Sequence, residues 1–260
     1  MELERYLRRR REQKELLVMG HLVCGYPSLE DNWRALEVMA EFDVDLVELQ
    51  FPFSEPNADG PRFVRANELA LARGTTPAHC FDLMARAAAR FPFRLLMMGY
   101  YNTVFRMGEE TFLRRLKAAG GVGYILPDLP LEEAGPLHRR SDELGLAPIV
   151  LMTPTTRPER LAALGRAARG MVYAVARRGV TGAKTEMGAE LDRFLARCRA
   201  VTSLPIGVGF GVAAREDLDF LRGRADLAII GTAALAAWEE GGAEGLERFF
   251  ASLGLAGKAA

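Results

Sequence analysis

Cysteine is scarce. Cys24, Cys80 and Cys198 are odd in number, widely spread and free of any C-x-x-C pair. They argue against a disulfide framework or a zinc ribbon and fit a reducing compartment. Histidine is equally sparse: His21, His79 and His138 stand far apart, without metal-ligand spacing or a neighbouring carboxylate cluster. That leaves no case in the sequence for a catalytic metal or a Ser-His-Asp triad. An excess of one charge is missing too, since 34 basic residues balance 34 acidic ones. Nothing here suits nucleic acid or an anionic membrane. No apolar run reaches the roughly 18 residues of a membrane-spanning helix. The opening MELERYLRRRREQKE is charged and helical, unlike a secretory leader, so a cytoplasmic protein is expected.

What the chain does have is apolar material in regular doses. Hydrophobic residues make up 49% and charged residues 26%, ordinary values for a globular protein. Short aliphatic runs recur at 16–24, 45–49, 94–100, 123–127, 147–152, 170–176, 205–209 and 226–231. They are continuously apolar rather than alternating, as parallel strands covered on both faces are. Between them lie amphipathic stretches of helical length at 29–42, 77–90, 109–119, 131–144, 157–169 and 188–200. Ser28 and Thr76-Pro77 read as helix starts. Eight strands alternating with helices over about 250 residues predict a (β/α)₈ TIM barrel preceded by an extra helix. No linker or compositional break divides residues 1–260, so one domain is expected.

In such a barrel the chemistry sits where strands end. Glu48 closes the second run, among Leu46, Val47, Leu49 and Phe51. It is either an outward or ion-paired carboxylate, or one held in an apolar pocket, where its pKa rises and it can carry a proton near neutrality. Asp59 follows in a loop stiffened by Pro52, Pro56 and Pro61. It is either an Asp-Gly turn residue or a second carboxylate held in working geometry. Tyr100, Tyr101 and Asn102 follow the third strand, Asp128 follows the fourth, and Tyr173 lies within the sixth. Met98, Ile125 and Leu151 read as pocket wall or core.

Glycine loops crowd the last third, at 177–186, 207–212 and 229–233. Glycine lets backbone N–H groups approach an anion, and a following helix adds a favourable dipole. The loops after strands 7 and 8 often bind phosphate in barrels. GVTGAKT fails as a Walker A motif, because Ala183 stands where glycine must precede Lys184. Gly209-x-Gly211-x-x-Ala214 fails as a dinucleotide fingerprint, having only one βα unit left after it.

Taken together, VELQFPFSEPNADGP (47–61), MMGYYNTVFRMG (97–108), YILPDLPLEE (124–133), VYAVARRGVTGAKTE (172–186), GVGFGVAARED (207–217) and ADLAIIGTA (225–233) resemble the tryptophan synthase α subunit family. The resemblance runs from the N-terminal helix and GYPS (25–28) nearly to the C-terminus. It implies a TIM barrel that cleaves indole-3-glycerol phosphate to indole and glyceraldehyde 3-phosphate by a retro-aldol reaction. It also implies an α₂β₂ complex, with no cofactor in this chain and pyridoxal phosphate only in the β subunit. Glu48 would be the general acid/base, Asp59 the acceptor of the indole N–H, and Tyr173 a tyrosine of the active-site pocket. His21, Met98, Tyr100, Ile125 and Leu151 would line the indole side. Thr181, Gly182, Gly209, Phe210, Gly211, Gly231 and Thr232 would hold the phosphate.

The sequence departs from the family's pattern at several places. His21 replaces an aromatic residue and Gly99 a non-glycine, both bearing on pocket shape. Gln50 replaces a glycine. Glu55 replaces an aspartate in the partner-facing loop, and Arg177-Arg178 stand where small residues are common. A stand-alone lyase releasing free indole, a non-catalytic homologue that activates a β partner, and a different phosphosugar barrel enzyme are the alternatives. The last leaves FPFS…ADGP unexplained.

Overall fold

A strand buried on both faces needs helices in front and a partner strand on each side, and closure into a ring supplies both. The computed structural model of the protein describes residues 1–176, 184–209, 211–255 and 257, with the backbone alone at 184–187. Its strands are β1 (Leu17–Val23), β2 (Leu46–Gln50), β3 (Arg94–Met98), β4 (Gly123–Ile125), β5 (Ala147–Met152), β6 (Val172–Val175), β7 (Ile206–Gly209) and β8 (Leu227–Ile230). They pair in parallel in chain order, and β8 returns to β1 to close the barrel.

Helix α1 (Glu2–Arg11) precedes the barrel. After β1 comes α2 (Leu29–Glu41); after β2, α3 (Pro61–Ala72) and α4 (Pro77–Arg90). After β3 come α5 (Tyr101–Met107) and α6 (Glu109–Ala118); α7 (Gly135–Leu144) and α8 (Pro158–Ala167) follow β4 and β5. The circuit ends with α9 (Lys184–Arg199), α10 (Arg215–Leu221) and α11 (Thr232–Ser252), which kinks at Gly241 and Gly242.

The expected caps are present. Ser28 Oγ accepts from the Asp31 amide at 3.0 Å, and Thr76 caps α4 with His79 closing a capping box. The helix expected over 131–144 starts later, at Gly135. Pro130 to Ala134 form turns instead, with the Glu133 and Ala134 amides donating back to the Pro130 carbonyl. Pro136 suits a first helical turn, where its missing N–H costs nothing. Helix α9 begins earlier than the expected 188.

The two-residue strand period sorts the core into shells. Leu17, Met19, Leu46, Leu96, Met98 and Ile229 fill the barrel interior, closed below by Leu3 and Leu7 of α1. Their neighbours Val18, Val47, Leu95, Met97 and Val208 face outward into the helix layer. Helix α1 is fastened by fully buried Asp45, which accepts from Arg10 Nε at 2.7 Å, Lys14 Nζ at 3.1 Å and the Val18 amide at 2.9 Å. The bottom is thus plugged, and the open end lies where the strands finish.

Candidate active site

Parity on β2 sends Leu46, Glu48 and Gln50 into the barrel together. Register places His21 of β1 and Leu96 of β3 beside Glu48. Glu48 is only 3% exposed, and its Oε2 has no hydrogen-bond partner among the described residues. Burial, and then the nearby charge of Asp59, push its carboxyl up to about 8. It is therefore a protonated acid at neutral pH.

Asp59 reaches the same space from the loop after β2. Three contacts tie that loop to the barrel. The Phe53 ring stacks on Tyr100 with centroids 5.0 Å apart, the Phe53 amide donates to Asn67 Oδ1 at 2.9 Å, and the Ala58 amide donates to the Tyr100 hydroxyl at 2.9 Å. Gln50 Nε2 then donates to Asp59 Oδ2 at 2.6 Å. Burial raises the Asp59 carboxyl above its ordinary value, while hydrogen bonds from Gln50 and Tyr100 oppose the rise. Opposed environments of this kind separate an acid from a base.

Both carboxyls face a cavity of about 750 Å³ at the open end of the barrel. Its inner wall includes His21, Met98, Ile125, Leu151 and Tyr173. Burial, and then the charges of Glu48 and Asp59, keep the Tyr173 hydroxyl protonated. The opposite rim carries Gly209, Gly211, Gly231 and Thr232. Gly209 makes room for Tyr173, since a Cβ there would sit 2.9 Å from the Tyr173 ring and force it to shift. Helix α11 opens at this rim with Gly231 at its N-cap, a residue with no side chain of its own to cap the first N–H groups. At α10, by contrast, Asp217 already accepts from the Ala213 and Ala214 amides at 2.9 and 3.0 Å. The first turn of α11 thus presents backbone N–H groups at the rim, a suitable seat for an anion. Thr181, Gly182 and Phe210 lie outside the described residues. Among those described, no group of three or more His, Cys, Asp or Glu side chains could hold a metal ion.

A cavity with two carboxyls at one side and a glycine-lined helix start at the other has the chemistry to take an apolar molecule with an anionic tail. The model of the tryptophan synthase alpha chain family matches residues 7–254. The chain belongs to the tryptophan synthase alpha chain family. The tryptophan synthase alpha chain of Desulfotalea psychrophila is 43% identical over 253 residues, covering 97% of this chain and all of that one. The alpha chain of Desulforapulum autotrophicum is 45% identical over 251 residues, covering 96% and 99%. A tryptophan synthase structure from Mycobacterium tuberculosis superposes with TM-score 0.89 at 34% identity, covering 99% of this chain and 98% of the other.

Several residues sit differently from what the sequence and the family pattern suggest. Tyr100 is absent from the cavity lining; buried under Phe53 with its hydroxyl on Ala58, it holds the Asp59 loop. Gly99 does not shape the cavity either. It faces the outer layer, where a Cβ would meet the Phe51 ring at 2.9 Å. His21, remote from any carboxylate in sequence, comes within 3.9 Å of Glu48 and 2.9 Å of Gln50. Two of the tryptophan synthase alpha departures, His21 and Gln50, are thus bonded to one another. Gln50, Asn67 and Phe63 were missed as site residues. The spacing Glu-x-Gln on a strand was the available signal for Gln50, since it puts both side chains on one face.

Proposed function

We propose that this chain, as a single cytoplasmic domain, performs its family's lyase reaction with Glu48 and Asp59 as paired proton carriers. The reaction cleaves indole-3-glycerol phosphate to indole and glyceraldehyde 3-phosphate. The observation that carries this reading is the pair itself, a buried protonated carboxyl beside a hydrogen-bonded one in a single apolar cavity.

The chemistry follows from where each proton starts. Asp59 takes the indole N–H proton while Glu48 delivers its own to C3, giving the 3H-indole tautomer. Glu48, now ionised, removes the proton from the hydroxyl on the carbon attached to C3. The C–C bond breaks, its electrons restore the indole C2–C3 double bond, and nitrogen recovers its proton from Asp59. Both carboxyls end as they began, and proton transfer alone suffices, so no cofactor is needed in this chain. Tyr173 keeps its hydroxyl proton and serves as a further donor. The anionic tail would rest on Gly209, Gly211, Gly231, Thr232 and the start of α11, holding the reacting carbon in register. Thr181, Gly182 and Phe210 complete that seat in the proposal.

A β partner is part of the same proposal. A solved relative from Pyrococcus furiosus, with TM-score 0.82 at 28% identity, is a tryptophan synthase complex; it covers 91% of this chain and 97% of that one. Phe105 of α5, just past the end of β3, exposes 69% of its surface, a large apolar group suited to a partner. In an α₂β₂ assembly the pyridoxal phosphate would belong to the β chain.

The test is indole release from indole-3-glycerol phosphate with and without a β subunit. Release that rises with the partner supports the full reading. Release that the partner leaves unchanged supports a stand-alone lyase, and none under either condition overturns the assignment in favour of a binding-only homologue.

A further inference from the structure

Gln50 is fully buried, and every polar atom of its amide is engaged. A carboxylate can only accept, so the 2.6 Å contact to Asp59 Oδ2 must come from the Gln50 NH₂ group. Asn67 agrees. Its own NH₂ donates to the Phe63 carbonyl at 2.8 Å, so its Oδ1 faces Gln50 as an acceptor at 3.5 Å. The Gln50 oxygen is thereby turned to His21, whose Nε2 lies 2.9 Å away and must carry the proton. Burial lowers His21 to about 4, so the ring is neutral. One tautomer is left, with the proton on Nε2 and a lone pair on Nδ1. The ring is held flat on Phe63, with centroids 4.3 Å apart and planes 20° from parallel.

We propose that Gln50 is a positioning residue for Asp59, and that His21 orients it, the two forming a directed relay that locks the Asp59 loop to the barrel wall. His21 donates to Gln50, and Gln50 donates to Asp59. The relay takes up Asp59 Oδ2 and, together with the hydrogen bond from Tyr100, fixes the carboxylate at the cavity wall where the substrate N–H is to be met. This inference rests on the reaction proposed above, since it assigns the geometry of that reaction's second carboxylate. Rigid, correctly aimed donors of this kind convert a mobile loop carboxylate into a group in near-attack position.

Among the described residues, the titratable groups that share the cavity or a contact with Asp59 include Glu48 from β2, His21 from β1, Tyr173 from β6 and Tyr100 after β3. Arg62 of α3 lines the same cavity but is ion-paired with Glu239. The test titrates protein carrying ¹³C-labelled aspartate, with the Asp59 carboxyl signal identified by its loss in Asp59→Asn. Gln50→Leu should raise the Asp59 midpoint by about one pH unit, because a donor to the charged form is removed. His21→Phe keeps the stack on Phe63 and should raise it by less. The double variant should match Gln50→Leu alone, because the two residues act in series. In turnover, Gln50→Leu should lose about ten-fold in kcat with KM changed by less than about two-fold. If Gln50→Leu does not fold, His21→Phe carries the same titration.

An Asp59 midpoint unmoved in these variants, or single effects that simply add, overturns the relay whether or not substrate is cleaved. Wild-type protein that releases no indole with or without a β subunit overturns the reaction instead, and the titration still decides the relay.

Discussion

Replacing Glu48 with glutamine should remove activity and stabilise the fold in the same step, with a pH dependence that identifies the cause. The wild-type carboxyl titrates near 4.5 when solvated and near 8 in the folded barrel. Below the lower value both states are protonated and burial carries no ionisation penalty. As pH rises the unfolded chain gives up the proton while the folded one keeps it, so stability falls across this window. At about 1.4 kcal/mol per pH unit, the penalty is about 1 kcal/mol at pH ~5 and about 3 kcal/mol at pH ~7. It levels off only above the folded value of about 8. Glutamine has nearly the same shape and no proton to lose, so it escapes the penalty. Denaturant unfolding of both proteins should therefore show the variant gaining about 2 kcal/mol on the wild type between those two pH values. The same variant should release indole at least a thousand-fold more slowly, about the contribution of a general acid. A stability difference that does not grow with pH would show that Glu48 is ionised in the folded state. Wild-type indole release by the variant would show that Glu48 is not the acid.

Other expectations follow from the same contacts. Asp59→Asn keeps a hydrogen-bonding group but cannot take a proton, so kcat should fall about a hundred-fold with far-ultraviolet circular dichroism unchanged. A pH–rate profile of kcat/KM should fall as pH rises through about 8, where free Glu48 loses its proton, and this limb should vanish from the residual activity of Glu48→Gln. Gly209→Ala puts a methyl group against the Tyr173 ring, and should cost about 1–3 kcal/mol in denaturant unfolding while raising KM. Asp45→Ala removes the acceptor shared by Arg10, Lys14 and the Val18 amide, and should cost about 3 kcal/mol with little change in kcat.

Much of this molecule is written locally. A strand covered on both faces must be apolar at every position, so each of the eight strands appears as a short aliphatic run, and Ser28 and Thr76 mark helix starts with their own side chains. Glu48 stood out because a carboxylate inside such a run has nowhere polar to go, and the prolines around Asp59 marked a stiffened loop. Strand parity, also local, sends Gln50 to the side of Glu48. What the sequence could not decide is who meets whom across strands. His21 and Gln50 lie 29 positions apart, and only the register of β1 on β2 brings them together. Tyr100 left the cavity wall because Phe53 and Ala58 of a folded-back loop claimed its ring and its hydroxyl. Periodicity tells a residue which face it occupies. Its partner on that face is set by the closure of the whole barrel, a non-local property that no short stretch of chain contains.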